Sequence, residues 1–125
     1  NHDTLLINEV APRPHNSGHL TIEAAVTSQF DQHLRTILAL PFGACDFSQN
    51  AIMINLVGEK GFNGPVVYDG MDELLEISGL HVHLYGKAET RPMRKMGHLT
   101  LTGADLEALR KTAKRIKQQV VVRTD

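Results

Sequence analysis

Between Asn8 and His19 the chain reads Asn-Glu-Val-Ala-Pro-Arg-Pro-His-Asn-Ser-Gly-His. This stretch sets a carboxylate, a guanidinium and an imidazole side by side on a proline-braced turn. Glu9, at the end of an apolar run, could hold Mg²⁺, a hard cation that takes oxygen ligands and keeps much of its water. Arg13 offers a rigid fork of donors for a small planar or tetrahedral anion. A helix beginning near Asn16 or Ser17 would add free N–H groups and a favourable dipole. Pro12 and Pro14 fix the turn, so little ordering is needed when a ligand arrives. Gly18 permits close backbone approach. The plainer alternative is a polar turn with a helix cap, in which Ser17 only caps and Glu9 and Arg13 form an exposed ion pair worth under about 1 kcal/mol. The two prolines bracketing Arg13 favour a functional site.

A second concentration of charge lies at Lys87, Arg91, Arg94, Lys95 and His98, with Glu89 the only acid between residues 86 and 98. A basic loop between strands suits a phosphate monoester, Arg giving a bidentate contact and Lys a point charge. Most basic loops are merely solvated; a formal chain charge of only -1 makes this local excess more telling. His81 and His83 share one strand face by the period of two. With His98, also on a predicted strand, they could begin a zinc site, but no fourth Cys or carboxylate has ligand-like spacing, and partly buried or surface imidazoles are the better reading. Cys45 has no base beside it and reads as inert. GEKGFNG at 58–64 lacks the Lys-Ser or Lys-Thr that closes a P-loop, and no GxGxxG is present. The basic residues of 110–117 read as a solvated helix face.

These groups need elements to position them. TLLINEV (4–10) predicts a strand. A helix is expected from the 16–17 cap to about Leu40, with Ile22, Val26, Phe30, Leu34, Ile37 and Leu38 as its apolar stripe. AIMINLVG (51–58) predicts a buried strand, followed by a Gly-rich excursion with a short strand near 66–68. Asp69 is expected to cap a helix over 71–78 that ends at Gly79. LHVHLYG (80–86) and MGHLTLT (96–102) alternate as strands. Thr102 with Asp105 resembles a capping box. The helix after it buries Leu106, Leu109, Ala113 and Ile116, and VVV (120–122) closes the chain as a strand. The class is α+β, with a boundary at 41–50 separating 1–48 from 49–125.

The chain has 125 residues, 42% apolar and 22% charged, with 13 Lys+Arg against 14 Asp+Glu. That composition folds, and its charge balance argues against broad binding to nucleic acid or to an acidic membrane. The apolar runs are too short to span a bilayer, one cysteine allows no internal disulfide, and no signal-peptide pattern is present. A cytoplasmic protein is expected. The start at Asn1, close to a strand-like run, reads as a piece of something longer.

INEVAPRPHNSGH with TIEAAVTSQFDQHLR, and later HLYGKAETRPMRKMGHLTL, resemble in order two signatures of the carboxyaminoimidazole ribonucleotide synthetases, ATP-grasp ligases of purine synthesis. The resemblance spans nearly the whole chain. It implies the last strand–loop–helix of an ATP-grasp domain followed by a small, mostly antiparallel β domain with two helices. It implies ATP-dependent carboxylation of aminoimidazole ribonucleotide by bicarbonate through carboxyphosphate, with ATP and Mg²⁺ required and a homodimer as the assembly. Glu9 matches the family's Mg²⁺-binding glutamate. Arg13, His15 and Asn16 match residues expected around bicarbonate or carboxyphosphate, and Lys87 and Arg94 those on the ribonucleotide 5′-phosphate. The family's N-terminal domain and most of its ATP-grasp domain have no counterpart here, so this stretch alone is expected to be inactive. A non-catalytic phosphate-binding or oligomerisation module is the alternative.

Overall fold

The structure is a computed structural model that describes Thr4 and residues 6–125. Its centre is a three-stranded antiparallel sheet. β6 (Lys95–Gly103) lies between β1 (Asn50–Val57) and β4 (Leu80–Leu84). β1 pairs Ile54 with Leu99, and β4 pairs Val82 with Leu99 and His83 with His98. Because side chains alternate between faces, Ile52, Ile54, Leu56, Val82, Leu99 and Leu101 share one face and Asn55, His83, His98 and Thr100 the other. The apolar face takes α4 (Leu106–Gln119), whose Leu109, Ala113 and Ile116 complete a core with Leu74, Met96 and Val122. Two short ladders flank the sheet: β2 (Gly64–Pro65) with β5 (Glu89–Thr90), and β3 (Val67–Asp69) with β7 (Val121–Arg123). Arg123 donates to both carboxylate oxygens of Asp69, fastening the last ladder. The small α3 (Met71–Leu74) leads into β4 through Gly79, whose φ of 76° suits glycine.

The N-terminal part lies against the polar face. A 3₁₀ turn (Asn16–Gly18) precedes α1 (Thr21–Ala24) and α2 (Gln29–Ile37). The single long helix expected to Leu40 is thus two short ones. Ala25 is extended and bridges Phe47, while Val26 donates to the Asp46 carbonyl. Ser28 then caps α2 through Asp31 N–H. β-branched Val26 and Thr27 followed by a strong cap make that break inexpensive. The expected stripe is mostly uncovered, with Val26, Leu34, Ile37 and Leu38 all exposed.

The strand expected at 4–10 does not form among the described residues: 6–10 pair with no other strand, and Leu6, Ile7 and Val10 are exposed. β propensity reflects fit to a half-buried pleated surface, and no such surface meets this run. Leu5 lies outside the described residues. Two caps also differ. Asp69 is spent on Arg123, so Gly70 precedes α3 without a side-chain cap, and α3 is only one turn long. Asp105 itself caps α4, accepting from Glu107 and Ala108 N–H, and Leu106 stays partly exposed. No helix among the described residues is long and apolar enough to cross a membrane.

Two substitutions check this frame by urea unfolding. Leu99→Ala, at a fully buried position of the central strand, should cost about 3 kcal/mol. Asp105→Ala should cost about 1 kcal/mol through the lost cap.

Candidate functional site

The expected anion corner and the expected phosphate loop face one another. Residues 9–16, His19, Tyr85, Lys87 and Lys95 line a single cleft of about 510 Å³. Glu9 and Arg13 therefore share a cavity, though not as an ion pair. Glu9 Oε1 instead lies 3.6 Å from His15 Nε2, and Arg13 has no carboxylate partner among the described residues.

His15, rather than Asn16 or Ser17, caps the 3₁₀ turn. Its Nδ1 accepts from Ser17 N–H at 3.3 Å and lies 2.8 Å from the Ser17 hydroxyl. With Nδ1 accepting, the ring proton sits on Nε2, toward Glu9. The His15 backbone is gripped by one amide: His15 N–H donates to Gln29 Oε1 at 2.9 Å, and Gln29 Nε2 donates to the His15 carbonyl at 2.7 Å. The second Gln29 Nε2 proton reaches His19 Nδ1 at 2.8 Å. That leaves the His19 proton on its Nε2. Gln29 thus holds the loop carrying Arg13, His15 and Asn16 in place, and nothing in the sequence flagged it.

On the opposite wall Lys87 Nζ donates to the Lys95 carbonyl at 2.5 Å and lies 5.5 Å from the centre of the Tyr85 ring. Lys95 joins the cleft, whereas Arg94 is not among its lining residues. Arg94 instead donates Nη1 to the Glu89 carbonyl at 2.9 Å, closing the 89–94 turn that Gly58 also straps.

Behind the cleft lies a layer of imidazoles. His83 and His98 stack at 4.4 Å and 11°, and His19 lies 5.1 Å from His98. His83 Nε2 meets Glu23 Oε1 at 2.6 Å, the Glu23 side chain being only 9% exposed. Tyr85 Oη is 2.9 Å from His98 Nδ1. Of the three histidines weighed together from the sequence, His81 is exposed, whereas His83 and His98 lie directly opposite in the β4–β6 register. Among the described residues no three His, Cys, Asp or Glu side chains gather so as to hold a metal ion. Burial, with the His83 and His19 rings beside it, pushes His98 down to about 4 against a smaller opposing pull from Glu23. Burial chiefly, then Lys95, His15 and His83, lowers His19 too.

Residues 51–112 match the family described as phosphoribosylaminoimidazole carboxylase C-terminal domain, and residues 1–30 match the ATP-grasp domain. The phosphoribosylaminoimidazole carboxylase of Schizosaccharomyces pombe is 48% identical over 104 residues, 79% of this chain but 18% of that protein. The N5-carboxyaminoimidazole ribonucleotide synthetase of Thermotoga maritima superposes with a TM-score of 0.93 at 50% identity, covering 99% of this chain and 34% of that one. The Aspergillus clavatus synthase solved with ADP and aminoimidazole ribonucleotide has a TM-score of 0.72 at 35% identity, covering 85% of this chain and 28% of that one. The chain therefore spans about a fifth to a third of the length of such relatives.

A pH dependence follows from His98. It is neutral when folded down to about 4, whereas an unfolded imidazole protonates near 6.5. Below the unfolded value the unfolded state binds the extra proton, so the stability His98 supplies above pH 6.5 is lost as pH falls toward 4, by as much as about 3 kcal/mol. Urea unfolding at pH 7 and at pH 4.5 should show that loss, and His98→Asn should flatten it.

Proposed function

The chain belongs to the N5-carboxyaminoimidazole ribonucleotide synthetase family, and from that premise we propose that it forms the anion-handling wall of an ATP-dependent ligase that carboxylates aminoimidazole ribonucleotide with bicarbonate. The observation that carries this is the one cleft holding Glu9, Arg13 and His15 on one side and Lys87 and Lys95 on the other. Carboxyphosphate, formed when ATP phosphorylates bicarbonate, is anionic and short-lived, so its site must supply positive charge and exclude water. Arg13, free of any carboxylate partner among the described residues, can present its fork to that anion. His15, its Nδ1 occupied by Ser17, can donate from Nε2, and Asn16 adds an amide at the same turn. Lys87 and Lys95 take the ribonucleotide phosphate. Arg94 joins them by exchanging the Glu89 carbonyl for a phosphate oxygen.

Glu9 is 64% exposed at its side chain and faces the cleft, which suits one carboxylate ligand of Mg²⁺, the rest being water and phosphate oxygens. Bound there, the ion would neutralise phosphate charge. Residues 1–48 serve as the end of the ATP-grasp domain and 49–125 as the C-terminal domain, within a cytoplasmic homodimeric enzyme. The uncovered apolar residues of α2 favour a second reading, a non-catalytic assembly module.

In a full-length enzyme carrying this chain, Lys87→Ala with Arg94→Ala should raise the ribonucleotide KM at least about tenfold, as expected for lost charge-assisted contacts, with the ATP KM little changed. Equal loss of both, or loss of dimerisation alone, favours the assembly reading. Arg13→Lys should lower kcat by about 10²-fold at unchanged ATP affinity, since a point charge cannot replace the fork. The 125-residue chain alone should bind ATP poorly or not at all by calorimetry; tight one-to-one binding would show that it needs no further nucleotide-gripping residues.

A further inference from the structure

Tyr85 lines the cleft and its hydroxyl touches His98, and the direction of that hydrogen bond decides what Tyr85 offers a ligand. His98 is 2% exposed, and its Nε2 is buried with no hydrogen-bond partner among the described residues. Three protonation states are available. The imidazolium would bury a charge and a partnerless N–H between two other imidazoles, and burial with those neighbours makes His98 a weak base. The neutral form protonated at Nε2 would also orphan a buried N–H. The neutral form protonated at Nδ1 leaves only a lone pair unmatched. Orphaned buried donors are rarer and costlier than under-used acceptors.

The structure thus assigns the proton of His98 to Nδ1, and we propose that His98 thereby donates to the Tyr85 oxygen and frees the Tyr85 O–H to donate into the cleft, onto an oxyanion of the bound ligand. Were the bond reversed, Tyr85 would spend its one proton on His98 and show the cleft only a lone pair, which an anion would repel. The setting favours the donor. Burial holds the phenol above its ordinary value, so it keeps its proton near neutrality. The Lys87 ammonium over the ring draws electron density from it, which strengthens the O–H as a donor. The stacked His83, itself anchored by Glu23, leaves the His98 ring little freedom to turn. Tyr85 is then a ligand-binding residue and His98 its positioning residue.

The oxyanion is a phosphate of the ribonucleotide or the bicarbonate-derived group. The kinetic consequence rests on the proposed ligase reading, whereas the proton assignment does not. In a full-length enzyme carrying this chain, ¹⁵N NMR at pH 7 should find His98 protonated at Nδ1 and bare at Nε2; the opposite tautomer overturns the proposal. Tyr85→Phe keeps the ring and removes the hydroxyl, which is both the donor to the ligand and the acceptor of His98 Nδ1–H. It should raise, by about tenfold or more, the KM of the substrate supplying the oxyanion: ribonucleotide in one case, bicarbonate in the other, with the ATP KM unchanged at temperatures well below a thermal midpoint that itself falls because His98 Nδ1–H loses its acceptor. Unchanged KM values for both substrates also overturn it. His98→Asn, which places an amide N–H near the position of Nδ1–H, should retain much of the affinity that His98→Leu loses. If the wild-type enzyme does not carboxylate aminoimidazole ribonucleotide, the ligase reading has failed and inorganic phosphate becomes the probe. Tyr85→Phe should then weaken phosphate binding by a similar factor in calorimetry, and equal affinities would refute the donor role.

Discussion

The arrangement depends on the burial of one carboxylate. Glu23, on the short helix α1, is carried down onto the polar face of the sheet, where His83 meets it. One Glu23 oxygen meets His83 while the other is buried without a partner among the described residues. The His83 contact is therefore what offsets the cost of withdrawing this carboxylate from water and ties α1 to its seat on the polar face of the sheet. Backbone contacts reinforce that seat. Gln49 reaches the Glu23 carbonyl, and Ser48 donates to the Ala24 carbonyl. Once α1 is fixed, the turn before it stands over the end of β4, and Glu9, Arg13 and His15 come to face Lys87 and Lys95 across one cavity.

The two faces of the central sheet then have separate duties. The face toward α4 is apolar and accounts for cohesion. The opposite face holds His83 and His98, with His19 from the loop before α1, and its rings are kept neutral or paired instead of being left as free cations. Positive charge is reserved for the cleft itself, where Arg13, Lys87 and Lys95 project from exposed loops and strand ends. An anion entering there meets cations in front and a stacked imidazole layer behind. Capture and positioning are thereby divided between different parts of the wall.

Much of this was legible along the chain. The strands at 50–57, 80–84 and 95–103 and the helix at 106–119 follow from alternation and helical spacing, because each segment's apolar pattern is local. The proline-braced turn and the basic loop were also visible as concentrations of chemistry. Three features were not. The helix over 16–40 divides because the extended Ala25 pairs with Phe47, a contact that periodicity cannot see. The run at 6–10 forms no strand because a strand is a relation between two segments, and propensity describes only one. Asp69 does not cap because Arg123, far along the chain, takes both its oxygens.

The sequence by itself determined the α+β class, the apolar sheet face and the residues able to handle an anion, because these are set by side-chain type and by spacing within one element. Only the tertiary structure decided which of them meet. It put Lys95 into the cleft and turned Arg94 onto a carbonyl, made Gln29 the clamp of the His15 turn, and set His98 between His83 and Tyr85. Those outcomes turn on strand register and on where a helix is seated. A one-residue slip would send every side chain to the other face, and no local pattern carries that information.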